Sequence, residues 1–215
     1  MTLPSDRARI SFQPEVSSLE TSNELASVKD ASFTLVYWDI ASVGSTARDL
    51  LAYGNVEWKN DNPTDEDWDR GITKTGFSGL PVLKMTWPTG KELYLAESMI
   101  VDVFLAERFG LLGENEWEAL TIKTFYSNIH YLRERGYGCI SSAKPENRRN
   151  MIKRFMDKNI RRFIEDHEHH LKQNGSNGHY VGNKLKSWRE SEKFKLYEKN
   201  SIAWYKSSVN VPEDS

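Results

Sequence analysis

The stretch Leu80-Pro81-Val82-Leu83-Lys84-Met85 constrains this chain more than any other. Its apolar run makes a strand, and its proline fits at the opening, because a proline inside a ladder lacks the N–H that a neighbouring strand needs. Pro88-Thr89-Gly90 turns the chain back into a further strand, Glu92 to Leu95. Ser98 then reads as a helix cap, with Ile100, Val103 and Phe104 carrying a helix that stops near Gly110.

Upstream, Ser32 to Trp38 is β-branched and aromatic and reads as a strand. Ser45 to Tyr53 sets Ala47, Leu50 and Leu51 at helical spacing, and Val56-Glu57-Trp58 alternates as a short strand. Asn62-Pro63 ahead of Asp65, Glu66 and Asp67 predicts a helix start, with Gly76 and Gly79 as its breakers. The order β-α-β-α-β-β-α describes a mixed sheet with helices. Everything after Gly113 reads as helix. One stripe holds Ile122, Phe125, Ile129 and Leu132; a longer one runs from Pro145 to Leu171 and ends at Asn174-Gly175-Ser176-Asn177-Gly178.

Composition narrows the function classes. The 215 residues carry a formal net charge of −2, so no global field favours nucleic acid or an anionic membrane. The single cysteine, Cys139, cannot build a disulfide framework, which points to a reducing compartment. No apolar run is long enough to span a bilayer, and Met1 to Asp30 reads as a poorly ordered extension. His167, Glu168, His169 and His170 lack metal-site spacing and read as a solvated helix end. Arg148, Arg149, Lys153, Arg154, Arg161 and Arg162 read as a solvated face.

Four pieces of the chain, in order, resemble the glutathione transferase family, with the sigma class nearest: Phe33-Thr34-Leu35-Val36-Tyr37-Trp38, Ser78-Gly79-Leu80-Pro81-Val82-Leu83, Ala96-Glu97-Ser98-Met99, and Gly178-His179-Tyr180-Val181-Gly182-Asn183-Lys184. The resemblance implies an α/β plus all-α chain: an extension over 1–31, a thioredoxin-like glutathione-binding domain over 32–112, and a helical glutathione-transferase C-terminal domain over 113–215. In the family two further helices follow the equivalent of Asn183-Lys184. Here the sequence passes directly to Lys186-Ser187-Trp188-Arg189, so the helical domain reads as shortened near 185–186.

The resemblance also implies a site. A free thiol has a pKa near ~8.5, and a hydroxyl donated to sulfur favours the thiolate. Tyr37 matches the family's catalytic tyrosine; on the residues alone it is equally one more strand aromatic. Leu80 would pair its main chain with the cysteinyl backbone of glutathione, beside a cis Pro81. Glu97 and Ser98, at a helix N-terminus, would hold the γ-glutamyl end. Trp68 would contact the glycyl end, with Lys74 as a second contact. Departures accompany these matches: Val43 and Ile72 occupy the family's arginine and lysine positions, and Lys123 replaces a subunit-crossing acidic residue.

The implied activity is conjugation of glutathione to a small hydrophobic electrophile, a detoxification chemistry carried out by a cytoplasmic homodimer with glutathione as substrate and without metal, nucleic acid or membrane. The thinned set of cations leaves a second reading: the same fold kept as a non-catalytic binding or structural protein.

Overall fold

The computed structural model describes residues 7–11, 25 and 30–182. The expected shortening near 185–186, Asn183-Lys184 and the aromatic tail with Trp188, Phe194 and Trp204 lie outside the described residues. The chain divides into two compact units, which part between Gly110 and Leu111.

The first unit is built on a four-stranded sheet: β1 (Ser32–Val36), β2 (Trp58–Asp61), β3 (Val82–Thr86) and β4 (Glu92–Ala96), ordered β2-β1-β3-β4. β1 pairs parallel with β2 and antiparallel with β3, and β3 pairs antiparallel with β4. Helices α1 (Ser45–Gly54), α2 (Asp65–Asp69) and α3 (Ser98–Arg108) complete it. The pleat sends alternate side chains to opposite faces. Phe33, Leu35, Leu83, Met85 and Leu93 fill one face and pack with Ala47 and Leu51 of α1 and with Val101 and Leu105 of α3. Each such residue contributes about 1.5–3 kcal/mol through burial. Gly54 lets the end of α1 close on Phe109: a Cβ there would fall within 2.6 Å of ring atoms Cε1 and Cε2.

Four sequence expectations shift. β2 begins at Trp58 rather than Val56, because its remaining residues, Lys59, Asn60 and Asp61, form an exposed sheet edge that no apolar alternation marks. α2 is capped by Thr64, not by Asn62. Its hydroxyl accepts from Asp67 N at 3.0 Å, and the Asp67 carboxylate accepts from Thr64 N in return, a reciprocal capping box. That helix ends at Asp69, well before Gly76, and just beyond its C-cap Arg70 the φ of 72° at Gly71 leaves the helical region. Ser98 is the first helical residue of α3 rather than its cap; Glu97, with φ 72°, takes the cap position. The buried face of α3 holds Val101, Asp102 and Leu105, while Ile100 is exposed.

Within the extension expected to be poorly ordered, Arg7–Ile10 lies paired. Ala8 N donates to Gly71 O at 2.7 Å, Thr75 N to Ala8 O at 3.2 Å, and Ile10 N to Thr75 O at 3.0 Å. Ile10 is buried with Val82 and Ala96 and packs on Leu80, Val36 and Tyr94, covering part of the sheet's second face. A single isoleucine among polar neighbours gives no periodic signal, so the sequence pattern does not announce this strap.

The second unit is helical: α4 (Glu116–Ser141), α5 (Pro145–Phe155), a π turn over Met156–Ile160, and α6 (Arg161–Gln173). Asn115 caps α4, accepting from Glu118 N at 3.0 Å. α4 packs against α5, and at Gly136 a Cβ would crowd the Phe155 ring, 2.9 Å from Cζ. His167 departs from its reading as part of a solvated helix end. It is buried, its ring 3.8 Å from that of Phe163, with Nδ1 2.6 Å from Tyr180 Oη and Nε2 3.0 Å from Asn128 Oδ1. The Asn128 contact makes Nε2 the protonated nitrogen of a neutral ring, and Nδ1 then accepts from Tyr180. Burial lowers the His167 pKa, which favours the neutral ring.

Candidate functional site

The registers of the sheet bring the site residues together. Val36 is paired with Val82, and Val82 with Ala96. One residue further along each strand stand Tyr37, Pro81 and Glu97, so all three meet at the same end of the sheet. The Leu80–Pro81 bond is cis. Ser98 follows Glu97 as the first residue of α3, where the leading N–H groups of a helix lack intrahelical acceptors.

Tyr37 sits at that end because three features hold it. Its ring belongs to the first-face core and is only 4% exposed. Gly44, in a short 3₁₀ turn (Ser42–Gly44), lies flat against the ring; a Cβ there would come within 2.7 Å of Cγ and 2.9 Å of Cε1. Arg48 of α1 then fixes the loop that leaves Tyr37. It donates to Ile40 O at 2.7 Å, Trp38 O at 2.8 Å and Asn60 Oδ1 at 3.1 Å, with its guanidinium 5.5 Å from the Tyr37 ring centroid. Desolvation lowers the Arg48 pKa, with the Tyr37 hydroxyl and two aspartates acting in the other direction.

Trp68 of α2 is half-buried, edge-on to Trp38 with centroids 5.1 Å apart. It is therefore coupled to the residue next to Tyr37. Lys74 lies on the second face of the sheet, in a cavity that reaches Val36 and Val82 near this end. Its ammonium is 6.0 Å from the Tyr94 ring centroid, and it lines that cavity, of about 560 Å³, with Lys59, Asp61, Asp67 and Lys84. There Lys84 Nζ pairs with Glu92 at 2.5 Å, and Tyr94 donates to the same carboxylate at 2.8 Å. Both bonds hold Glu92 below the usual carboxylate range, Lys84 contributing most. Leu80 is half-buried between the two faces, packing against both clusters.

Three residues escape a reading of the sequence: Gly44, Arg48 and Arg7. Gly44 was visible only as a turn glycine, and nothing in a linear pattern shows that Arg48 reaches back to two carbonyls ten and eight residues earlier. The second unit holds its own cavity, about 570 Å³, lined by Ile122, Phe125, Tyr126, Ile129 and Tyr180 among others. Tyr180 is presented there by a polar loop in which Asn174 donates to His179 O at 2.8 Å and Asn177 to Gly182 O at 2.9 Å. Among the described residues no three metal-binding side chains converge, and no helix is long and apolar enough to cross a membrane.

This sheet, its flanking helices and the helical unit after it define a glutathione-transferase fold. A sigma-class glutathione transferase of Fasciola hepatica superposes with a TM-score of 0.63 at 23% identity, over 72% of each chain. Prostaglandin synthase D of Nilaparvata lugens gives 0.62 at 22% identity, over 81% of this chain and 84% of that one. No family model matches the sequence. Curated relatives do: glutathione S-transferase S1 of Drosophila melanogaster is 31% identical over 102 residues, 47% of this chain and 39% of its own length. A glutathione S-transferase of Anopheles gambiae is 28% identical over 101 residues, 47% of each. The matches span about half the length of these curated relatives or less. The chain thus has the fold of the glutathione transferases and resembles curated glutathione S-transferases in sequence over about half of its length.

Proposed function

We propose that the chain binds glutathione in its first unit and transfers the thiol to an electrophile. The observation that carries this reading is the convergence of Tyr37, the Leu80–Pro81 segment and the Ser98 helix start at one end of the sheet. The Leu80 main chain would pair with the cysteinyl backbone of the ligand, and the N–H groups at Ser98 would take its γ-glutamyl carboxylate. Glu97, exposed beside it, suits the ligand's ammonium. The Tyr37 hydroxyl would donate a hydrogen bond to the sulfur once its proton has gone to solvent. The thiolate then attacks the electrophilic carbon, forming the C–S bond while the leaving group departs with the electron pair of the bond it held. The reading extends to a homodimer of cytoplasmic location, with 32–112 and 113–215 as the two domains.

One observation favours the second reading, a binding protein without catalysis: Tyr37 is almost wholly buried, and Val43 and Ile72 supply no charge. The test is retention on glutathione-agarose followed by a conjugation assay with a chlorodinitrobenzene electrophile. Retention, with turnover that Tyr37→Phe abolishes, supports the enzyme. Retention without turnover, unchanged by Tyr37→Phe, supports the binder. A folded chain that is not retained removes both.

A further inference from the structure

Among the described residues, Arg7 is a buried charge without an acidic partner. It is 4% exposed. Its guanidinium lies 4.1 Å from the centroid of the Trp68 ring, and Nη2 donates to Trp68 O at 3.1 Å. Nε and Nη1 are shut off from water and have no hydrogen-bond partner. Buried charges are ordinarily paired, and each donor left without an acceptor costs about 1–3 kcal/mol. Of the four acids on α2, Asp67 is engaged in the capping box, Glu66 pairs with Arg70 at 3.4 Å, and neither Asp65 nor Asp69 accepts a hydrogen bond from Arg7 Nε or Nη1. An arginine stacked on an indole with one edge of its guanidinium unused is half of a carboxylate receptor, because two N–H groups on a fork match two carboxylate oxygens.

We infer that Arg7, clamped on Trp68 by the Arg7–Ile10 strap, receives a carboxylate of the bound ligand. Resting on the proposed glutathione reading, that carboxylate is the glycyl one, since the γ-glutamyl carboxylate has the Ser98 helix start. The strap brings to this subsite a cation that the aligned positions, Val43 and Ile72, do not supply. The backbone hydrogen bonds of the strap go to Gly71 and Thr75, not to the Leu80 main chain that the ligand would pair with. Nε and Nη1 are shut off from water in the free chain and must become accessible for the carboxylate to reach them, so the environment of Trp68 changes on binding.

The test uses the full chain and two ligands, glutathione and its monoethyl ester capped at the glycyl carboxylate, with affinity read by calorimetry and by tryptophan fluorescence. The wild-type chain is expected to bind glutathione about 10- to 100-fold more tightly than the ester, the range for a hydrogen-bonded charge. Arg7→Gln should lose that same factor for glutathione and lose nothing for the ester, so the discrimination disappears; Arg7→Lys should restore part of it. Equal losses for both ligands would show that Arg7 only supports Trp68, and would overturn the inference. Equal wild-type affinities for acid and ester would overturn it even if Arg7→Gln does not fold. In both of those cases the glutathione reading survives, whereas a wild-type chain that binds neither ligand removes that reading and this one together.

Discussion

Replacing Gly44 by alanine sets two effects of opposite sign against each other. The backbone at Gly44 is ordinary, φ −80° and ψ −11°, at the start of α1. Alanine has no conformational penalty there, and the smaller freedom it leaves to the unfolded chain would stabilise the fold by roughly 0.4–1 kcal/mol. Packing opposes this. Carbon atoms in contact sit ~3.5–4.0 Å apart, and the new Cβ would lie 2.7 Å from Tyr37 Cγ and 2.9 Å from Cε1. The ring must therefore retreat by roughly 1 Å, and it is buried in the core with Arg48 beside it. Overpacking of this kind costs about 1–3 kcal/mol. The expected outcome of Gly44→Ala is a net loss of stability, seen as a lower midpoint in thermal unfolding. If Tyr37 is the thiolate donor, conjugation falls further, since a ~1 Å misplacement can cost ~100-fold. In a Tyr37→Ala background the clash is gone, and Gly44→Ala should become neutral or stabilising. A Gly44→Ala chain as stable as wild type, or the same loss in both backgrounds, would refute the steric account.

Two further outcomes follow from the geometry. His167 is held neutral, its folded pKa below the ordinary 6.5; the unfolded chain therefore binds the proton first, and the stability contribution present above about pH 6.5 is lost as pH falls through the folded pKa. Thermal midpoints from pH 7.5 to 5 should drop accordingly, and His167→Gln should flatten that part of the profile. Thr64→Ala removes the capping box of α2 and should cost ~1 kcal/mol, read by amide exchange as faster opening at Asp67 and Trp68 than at the β1 amides.

The first-face core was legible because each strand alternates, and Leu35, Leu83 and Met85 fall in phase. The sheet end was legible through Tyr37, Pro81 and Ser98, since a strand end, a strand-opening proline and a helix start each leave a local mark. What holds those residues was not. Arg48 acts through carbonyls, which carry no side-chain identity to read. Gly44 matters for a contact across a turn, not for its own backbone. Arg7 and Trp68 are 61 residues apart, and neither position belongs to a periodic element that would pair them. His167 was hidden for the reverse reason: its neighbours His169 and His170 made the segment look uniformly polar, while Tyr180 and Asn128 come from elsewhere in the chain.

The strap also sets an order of events in folding. With the sheet already formed, docking the strap closes the stretch of roughly twenty residues between Ile10 and β1, at a loop-closure cost of about 3 kcal/mol. Against it stand three backbone hydrogen bonds, at about 1 kcal/mol each, and the burial of Ile10, about 1.5–3 kcal/mol. The balance is close enough that Arg7–Ile10 docks after the sheet has formed and detaches before it melts. A protease that cleaves after arginine would then find Arg7 and Arg9 in a chain whose sheet is still intact, at a rate that follows the detachment equilibrium and not the stability of the whole.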